Sequence, residues 1–403
     1  MTGLRRTAAA AALLLALPLS FAAAAPALAA PAPSPAAVTA VPASAAAAPT
    51  APAGLHVELP RPTGPFAVGR EILHLVDQDR TDPWVPAAGP RQLMVSVFYP
   101  ARPGTGGPAP YMTPEAARLL LDDKLPGNTV PTEAVSGATT WSRSDARPRP
   151  GRYPLVVLSP GFTMPRTELT SLAEDLTSLG YVVALVDHTY ENTGTTFPDG
   201  HTTTCPVCHT LTTQEQWQAL DASRATDISF VVDRLTGHGP AAWHYSRLID
   251  RDRIGTGGHS AGGAAAVPAL LTDDRIRAGV DLDGTMDYPV PATGLGHKPF
   301  LMIGHPLGDG DEDPSWTGAW PRLDGWKRWL TMAGSDHGTF TDNPLFTEKF
   351  GVPSPPGTTV GAERGIQLTR RYVAAFFDLQ LKGVPQPLLD GPTAADPEML
   401  FHP

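Results

Sequence analysis

The sequence predicts an α/β protein with a mostly parallel central sheet and helices on both faces. Two observations carry this reading. Short apolar runs of strand length alternate with segments whose apolar residues fall at helical spacing, the order that builds a parallel sheet covered on both sides. In addition, a serine framed by glycines lies where one of these strands turns into a helix.

The elements follow in chain order. Residues 1–29 read as an export signal: Arg5 and Arg6 form a positive start, an apolar stretch broken by Pro18 follows, and Ala27-Leu28-Ala29 fits a small-x-small cleavage site. The chain is therefore expected to be secreted. Residues 30–54 are almost entirely Ala, Pro, Ser, Thr and Val without charge, the composition of a disordered spacer. Residues 55–403 are expected to form one domain. Strands are predicted at 93–99, ended by Pro100, and at 155–158, 181–186, 276–282, 299–303 and 329–333. Helices are predicted at 168–179, closed by Gly180, and at 215–235, 260–271 and 369–381.

Composition narrows the function. Hydrophobic residues make up 42% of the chain, enough for a large core. The net charge of −10 and the absence of a Lys/Arg run argue against nucleic acid as a partner. Beyond the N-terminus no stretch approaches the roughly 18 apolar residues of a membrane span. Nothing calls for a second subunit, and a monomer with no more than peripheral contact to lipid surfaces is the expectation.

Gly258-His259-Ser260-Ala261-Gly262 matches G-x-S-x-G between a strand and a small-residue helix, the nucleophile elbow of the α/β-hydrolase fold. A sharp turn there exposes Ser260, and bulky neighbours two residues away would clash, hence the glycines. Serine needs a base, and in this fold the acid and the histidine follow it along the chain. His337, in a short polar loop after a strand, is the expected base; His297 and His305 flank a strand and read as surface or core residues, and His402 lies at the C-terminus. The acid is Asp283, after the strand at 276–282, or one of Asp309, Asp311 and Asp313, after the next strand; spacing does not decide between them. Asp281, Asp287 and Asp336 read as solvated or turn-forming. Two backbone donors are required for the oxyanion, and the N–H groups of Ala261 and of Phe162, in the loop after 155–158, are the natural pair; Pro160 has no N–H to give.

These residues resemble the plasma-type platelet-activating factor acetylhydrolases and their bacterial secreted relatives. The likeness spans most of residues 60–345, from Pro60-Arg61-Pro62-Thr63-Gly64-Pro65 through Asp82-Pro83-Trp84 and Val97-Phe98-Tyr99-Pro100, and is strongest at 258–263, 280–284 and 334–337. It implies Ser260 as nucleophile, Asp283 as acid, His337 as base, Phe162 and Ala261 as oxyanion donors, no metal or cofactor, and hydrolysis of short or oxidised acyl chains of phospholipids. Pro160-Gly161 stands where such proteins often have His-Gly. Triacylglycerols, polyesters and small esters are the alternative substrates.

Cys205-Pro206-Val207-Cys208-His209 matches a c-type haem attachment motif, and nearby His201 makes zinc conceivable. In an exported protein, however, a short-loop disulfide between Cys205 and Cys208 is expected, which sets aside a non-catalytic haem or redox protein. Trp316, Trp320 and Trp326 are expected to pack an insertion rather than line an acyl pocket, and the acidic run 309–313 to be solvated rather than to bind Ca²⁺.

Overall fold

The computed structural model describes residues 55–237, 242–308 and 313–403. The export signal and spacer expected over 1–54, and Asp309 and Asp311, lie outside the described residues.

β1 (Ala67–Thr81) and β2 (Pro90–Ala101) form a long antiparallel pair. β3 (Gly107–Pro108), α1 (Pro114–Lys124), α2 (Glu133–Ser136) and β4 (Ser142–Ser144) follow. β5 (Tyr153–Ser159), α3 (Thr170–Ser178) and β6 (Val182–His188) then form a β-α-β unit whose strands are parallel. A hairpin of β7 (Thr195–Thr196) and β8 (Thr202–Thr203) leads into α4 (Gln214–Thr236), which starts with a Thr213–Gln216 capping box. β9 (Ile249–His259), α5 (Ala261–Ala264), α6 (Ala266–Thr272), β10 (Ile276–Leu282) and β11 (Phe300–Gly304) come next. α7 (Pro314–Ala319), β12 (Lys327–Met332), α8 (Asn343–Lys349), α9 (Ala362–Lys382) and β13 (Met399–Phe401) complete the chain.

Among the described residues eleven strands make one sheet in the order β13-β12-β11-β10-β9-β5-β6-β2-β1-β4-β3. From β12 to β6 all neighbours are parallel. Both faces of these strands are buried, as a parallel sheet requires. Leu155 and Val157 of β5 face a core shared with α4 and α6, whereas Val156 and Leu158 face one shared with α3 and α9. A third, smaller core lies among α1, α2 and α8. This is the predicted α/β-hydrolase architecture, and no described helix is long and apolar enough to cross a membrane.

The connections decide where a site can form. α3 takes the chain outward from β5 to β6, and α4 brings it back to β9 on the other side of β5. The strand order therefore reverses between β5 and β9. Loops leaving the carboxyl ends of two such strands diverge and leave a crevice.

Candidate active site

Ser260 directly follows β9 and precedes α5, with φ 54° and ψ −129°. That positive φ is strained for a residue with a side chain and recurs at functional sites. The flanking glycines are dictated by close approach: a Cβ at Gly258 or at Gly262 would lie 2.0 Å from the Ser159 carbonyl oxygen. The Ser260 N–H donates to the Leu282 carbonyl at 2.8 Å, tying the turn to the end of β10.

Asp283 stands immediately after β10, also at positive φ (62°). The His337 imidazole meets it through Nδ1, 2.5 Å from Oδ2. With its proton at Nδ1 facing the carboxylate, His337 keeps Nε2 as an acceptor. A second imidazole shares the acid: His305 Nδ1 lies 2.7 Å from Oδ2, and the His305 backbone N–H donates to Oδ1 at 2.8 Å. Burial alone would raise the Asp283 pKa, but the hydrogen bonds from His305 and His337 outweigh it and hold it at about 2. His305 is raised in return, first by its hydrogen bond to Asp283. The surface or core role expected for His305 is thus corrected: it sits on the carboxylate that His337 uses. Its placement right after β11, at the same sheet end as Ser260 and Asp283, was the available signal. Asp313 instead caps α7, accepting from the Ser315 N–H at 2.7 Å, and binds the Thr285 hydroxyl at 2.8 Å. Asp281 is buried rather than solvated, accepts the Gly284 N–H at 2.8 Å, and has its pKa pushed well up by burial.

The loop after β5 carries Phe162. Its neighbours' polar groups are engaged: Pro160 O accepts from Arg224 at 2.5 Å, Gly161 N–H donates to Glu168 at 2.6 Å, and Thr163 N–H donates to Glu191 O at 2.9 Å. None of the hydrogen bonds among the described residues uses the Phe162 N–H. Ala261 opens α5, where the first N–H groups have no partner within the helix. His259 is buried and bridges this loop to the His337 loop, with Nδ1 3.2 Å from Glu168 and Nε2 2.7 Å from the His337 carbonyl oxygen. Burial would lower its pKa, yet Glu168 outweighs that and raises it.

Ser260, Ala261, Asp283, His305 and His337 open onto one cavity of about 610 Å³. Its walls include Trp217, Trp316 and Trp329, the carboxylates of Asp287 and Asp313, and Leu400 to His402 from β13 and beyond. Phe162 packs edge-on against Trp217, ring centroids 5.0 Å apart. Of the three tryptophans expected to pack an insertion, Trp316 and Trp320 both pack on Trp329 in one core, and Trp326 packs elsewhere. Trp316 lines the cavity and donates to Gly284 O at 2.6 Å, Trp320 packs on Trp329, and Trp326 packs on Phe376 in the core shared with α9. The expected core packing therefore holds for Trp316, but setting aside a pocket role missed the cavity wall, which forms because the loop between β11 and β12 folds back as α7.

Among the described residues two groups of three bring potential metal-ligating atoms within 4.8 Å: Asp283, His305 and His337, and the buried His188, Glu191 and Asp227. In the first the ligand atoms already share hydrogen bonds, and in the second Arg91 pairs with both carboxylates, with Arg80 also on Asp227 and Arg224 also on Glu191. Cys205 and Cys208 are joined in a disulfide, as expected.

A family model described as platelet-activating factor acetylhydrolase, isoform II, matches residues 53–228 and 212–378. A protein of Arthroderma benhamiae named probable 1-alkyl-2-acetylglycerophosphocholine esterase is 29% identical over 377 residues, covering 85% of this chain and 93% of its own. The platelet-activating factor acetylhydrolase of Bos taurus is 27% identical over 52% of this chain and 53% of its own. Among solved structures, a ferulic acid esterase from Streptomyces cinnamoneus shares 43% identity with a TM-score of 0.77, covering 86% of this chain and 99% of that one. Family model, relatives and architecture agree: the chain is a carboxylic ester hydrolase and belongs to the platelet-activating factor acetylhydrolase isoform II family.

Proposed function

We propose that this is a secreted serine esterase that works through an acyl-enzyme on Ser260. The observation that carries the reading is the convergence of Ser260, His337 and Asp283 on one cavity, with Asp283 bonded to His337 Nδ1. Ser260 Oγ attacks the ester carbonyl and its proton passes to His337 Nε2. Asp283, ionised because two imidazoles hold its pKa at about 2, offsets the imidazolium charge. The N–H groups of Phe162 and Ala261 receive the tetrahedral oxyanion. Imidazolium then protonates the leaving alcohol, and water activated by His337 releases the acid. The export pattern of residues 1–29 and the Cys205–Cys208 disulfide support secretion.

For substrate we infer the short acyl chain of a choline glycerophospholipid. Relatives bear names of that chemistry, and tryptophans beside Asp287 and Asp313 suit a trimethylammonium group. A second reading, an aromatic acyl ester, is favoured by the ferulic acid esterase likeness and by the same aromatic walls. The two separate in kcat/KM measured on an sn-2-acetyl phosphocholine lipid, its phosphoglycerol counterpart, ethyl ferulate and p-nitrophenyl esters of rising length. The first reading predicts the phosphocholine lipid at least about tenfold above ethyl ferulate, and the reverse order selects the second.

A further inference from the structure

Beneath the Phe162 loop lies a buried ionic network that the proposed chemistry does not use. Arg80, Arg91 and Arg224 face Asp82, Glu191 and Asp227. His188 joins them, 2.7 Å from Asp227 and 2.9 Å from the Ser159 hydroxyl. Burial, reinforced by the three arginines, pushes the His188 pKa well down and keeps it neutral. Three cations thus meet three anions. Such an arrangement adds little net stability over an apolar core, so its position is the more informative feature.

One peptide unit is gripped from both ends by opposite charges. The Pro160 carbonyl accepts from Arg224 at 2.5 Å, and the Gly161 N–H of the same peptide donates to Glu168 at 2.6 Å. Arg224 is itself held by Glu191 Oε2 at 2.7 Å. Substituents are excluded at this point: a Cβ on Gly161 would lie 2.9 Å from His259 Nδ1. Just beyond, Thr163 is held at φ 71°, outside the region residues with side chains prefer. Arg224 lies seven residues after Trp217 on α4, on the same helix face, so one helix touches the loop at the Pro160 carbonyl and at the Phe162 ring.

We propose that Arg224 is a positioning residue of the esterase reaction: with Glu168 it clamps the Pro160–Gly161 peptide and so fixes the direction of the Phe162 N–H. An oxyanion donor acts only where its hydrogen meets the oxygen of the tetrahedral species, and losing one such donor costs on the order of 10²–10³ in turnover. A guanidinium can hold Glu191 and the Pro160 carbonyl together, whereas an ammonium cannot keep that two-sided geometry. The proposal rests on the Ser260 reading, which fails separately if Ser260→Ala retains turnover.

The test compares Arg224→Met and Arg224→Lys with wild type. Readouts are kcat and KM for p-nitrophenyl acetate, the inhibition constant of a phenylboronic acid, which forms a tetrahedral adduct with serine, and folding by circular dichroism. The expected result is a fall in kcat of at least about tenfold for Arg224→Met and a smaller fall for Arg224→Lys. KM should stay within about threefold, and boronate affinity should drop in parallel with kcat. A folded variant of either kind with wild-type kcat and boronate affinity overturns the proposal, as does a loss confined to KM. Failure of both variants to fold assigns Arg224 to stability and overturns it equally.

Discussion

At Asp283 one carboxylate answers to two imidazoles, and the proposed chemistry ties both activity and stability to it. Asp283→Asn keeps the shape and removes the charge; turnover should fall at least about a hundredfold with KM little changed, in line with the loss seen when a triad acid is neutralised. Stability should follow the sign of the shift. The carboxyl is depressed from 3.8 to about 2, so its contribution is present above 3.8 and is lost as pH falls toward about 2. Urea midpoints of wild type and Asp283→Asn should therefore differ most near neutrality and converge in acid; a constant gap contradicts the assignment. The placement of Ser260 and His337 on the cavity was legible in the sequence because a strand-to-helix turn and a polar loop after a strand are local features. The pairing of Asp283 with His337 was legible only through family likeness, since Asp313, in the loop after the next strand, satisfies the same chain order. His305 was not, because its partner lies 22 residues away on a neighbouring strand.

Elements show the same division between local and distant causes. The strands predicted at 155–158, 181–186, 276–282 and 299–303 appear as β5, β6, β10 and β11 within a residue or two at most ends, because a buried parallel strand is apolar throughout. β13 was missed: three residues carry no pattern of their own and become a strand only by pairing with β12. α9 begins at Ala362, seven residues before its predicted start, because its first turns carry polar residues such as Glu363 and Arg364. Helix 260–271 divides into α5 and α6 around Ala265. The elbow supplies the test at this scale. In Gly262→Ala the new methyl would sit 2.0 Å from the Ser159 carbonyl, so the turn must open and move both Ser260 and the loop bearing Phe162. Turnover should fall at least about tenfold and the protein should lose on the order of 1–3 kcal/mol, the range for overpacked sites. Thermal melts and kcat together check this, and a variant matching wild type in both removes the steric reason for the glycine.

Over the whole molecule, the parallel strands deliver the proposed chemistry to a single rim, and the cavity walls come from segments far apart in sequence: Trp217 before the elbow, Trp316 after β11 and Leu400 beyond α9. No window of the sequence holds that wall, which is why the substrate is less legible than the reaction. The Cys205–Cys208 disulfide closes a loop with a sequence separation of only 3, so it restrains few states of the unfolded chain. Its reduction should leave the melting temperature within about 2 °C and turnover within about twofold, measured with and without a thiol reductant; a larger loss gives the loop a role beyond local closure. The central claim is that Ser260 forms the covalent intermediate. The most direct measurement is mass spectrometry of the protein after reaction with a fluorophosphonate. Wild type should carry one adduct, on the peptide containing Ser260, with activity lost in step with labelling, and Ser260→Ala should take up none and hydrolyse no p-nitrophenyl acetate. An adduct on another residue, or an active Ser260→Ala, would contradict it.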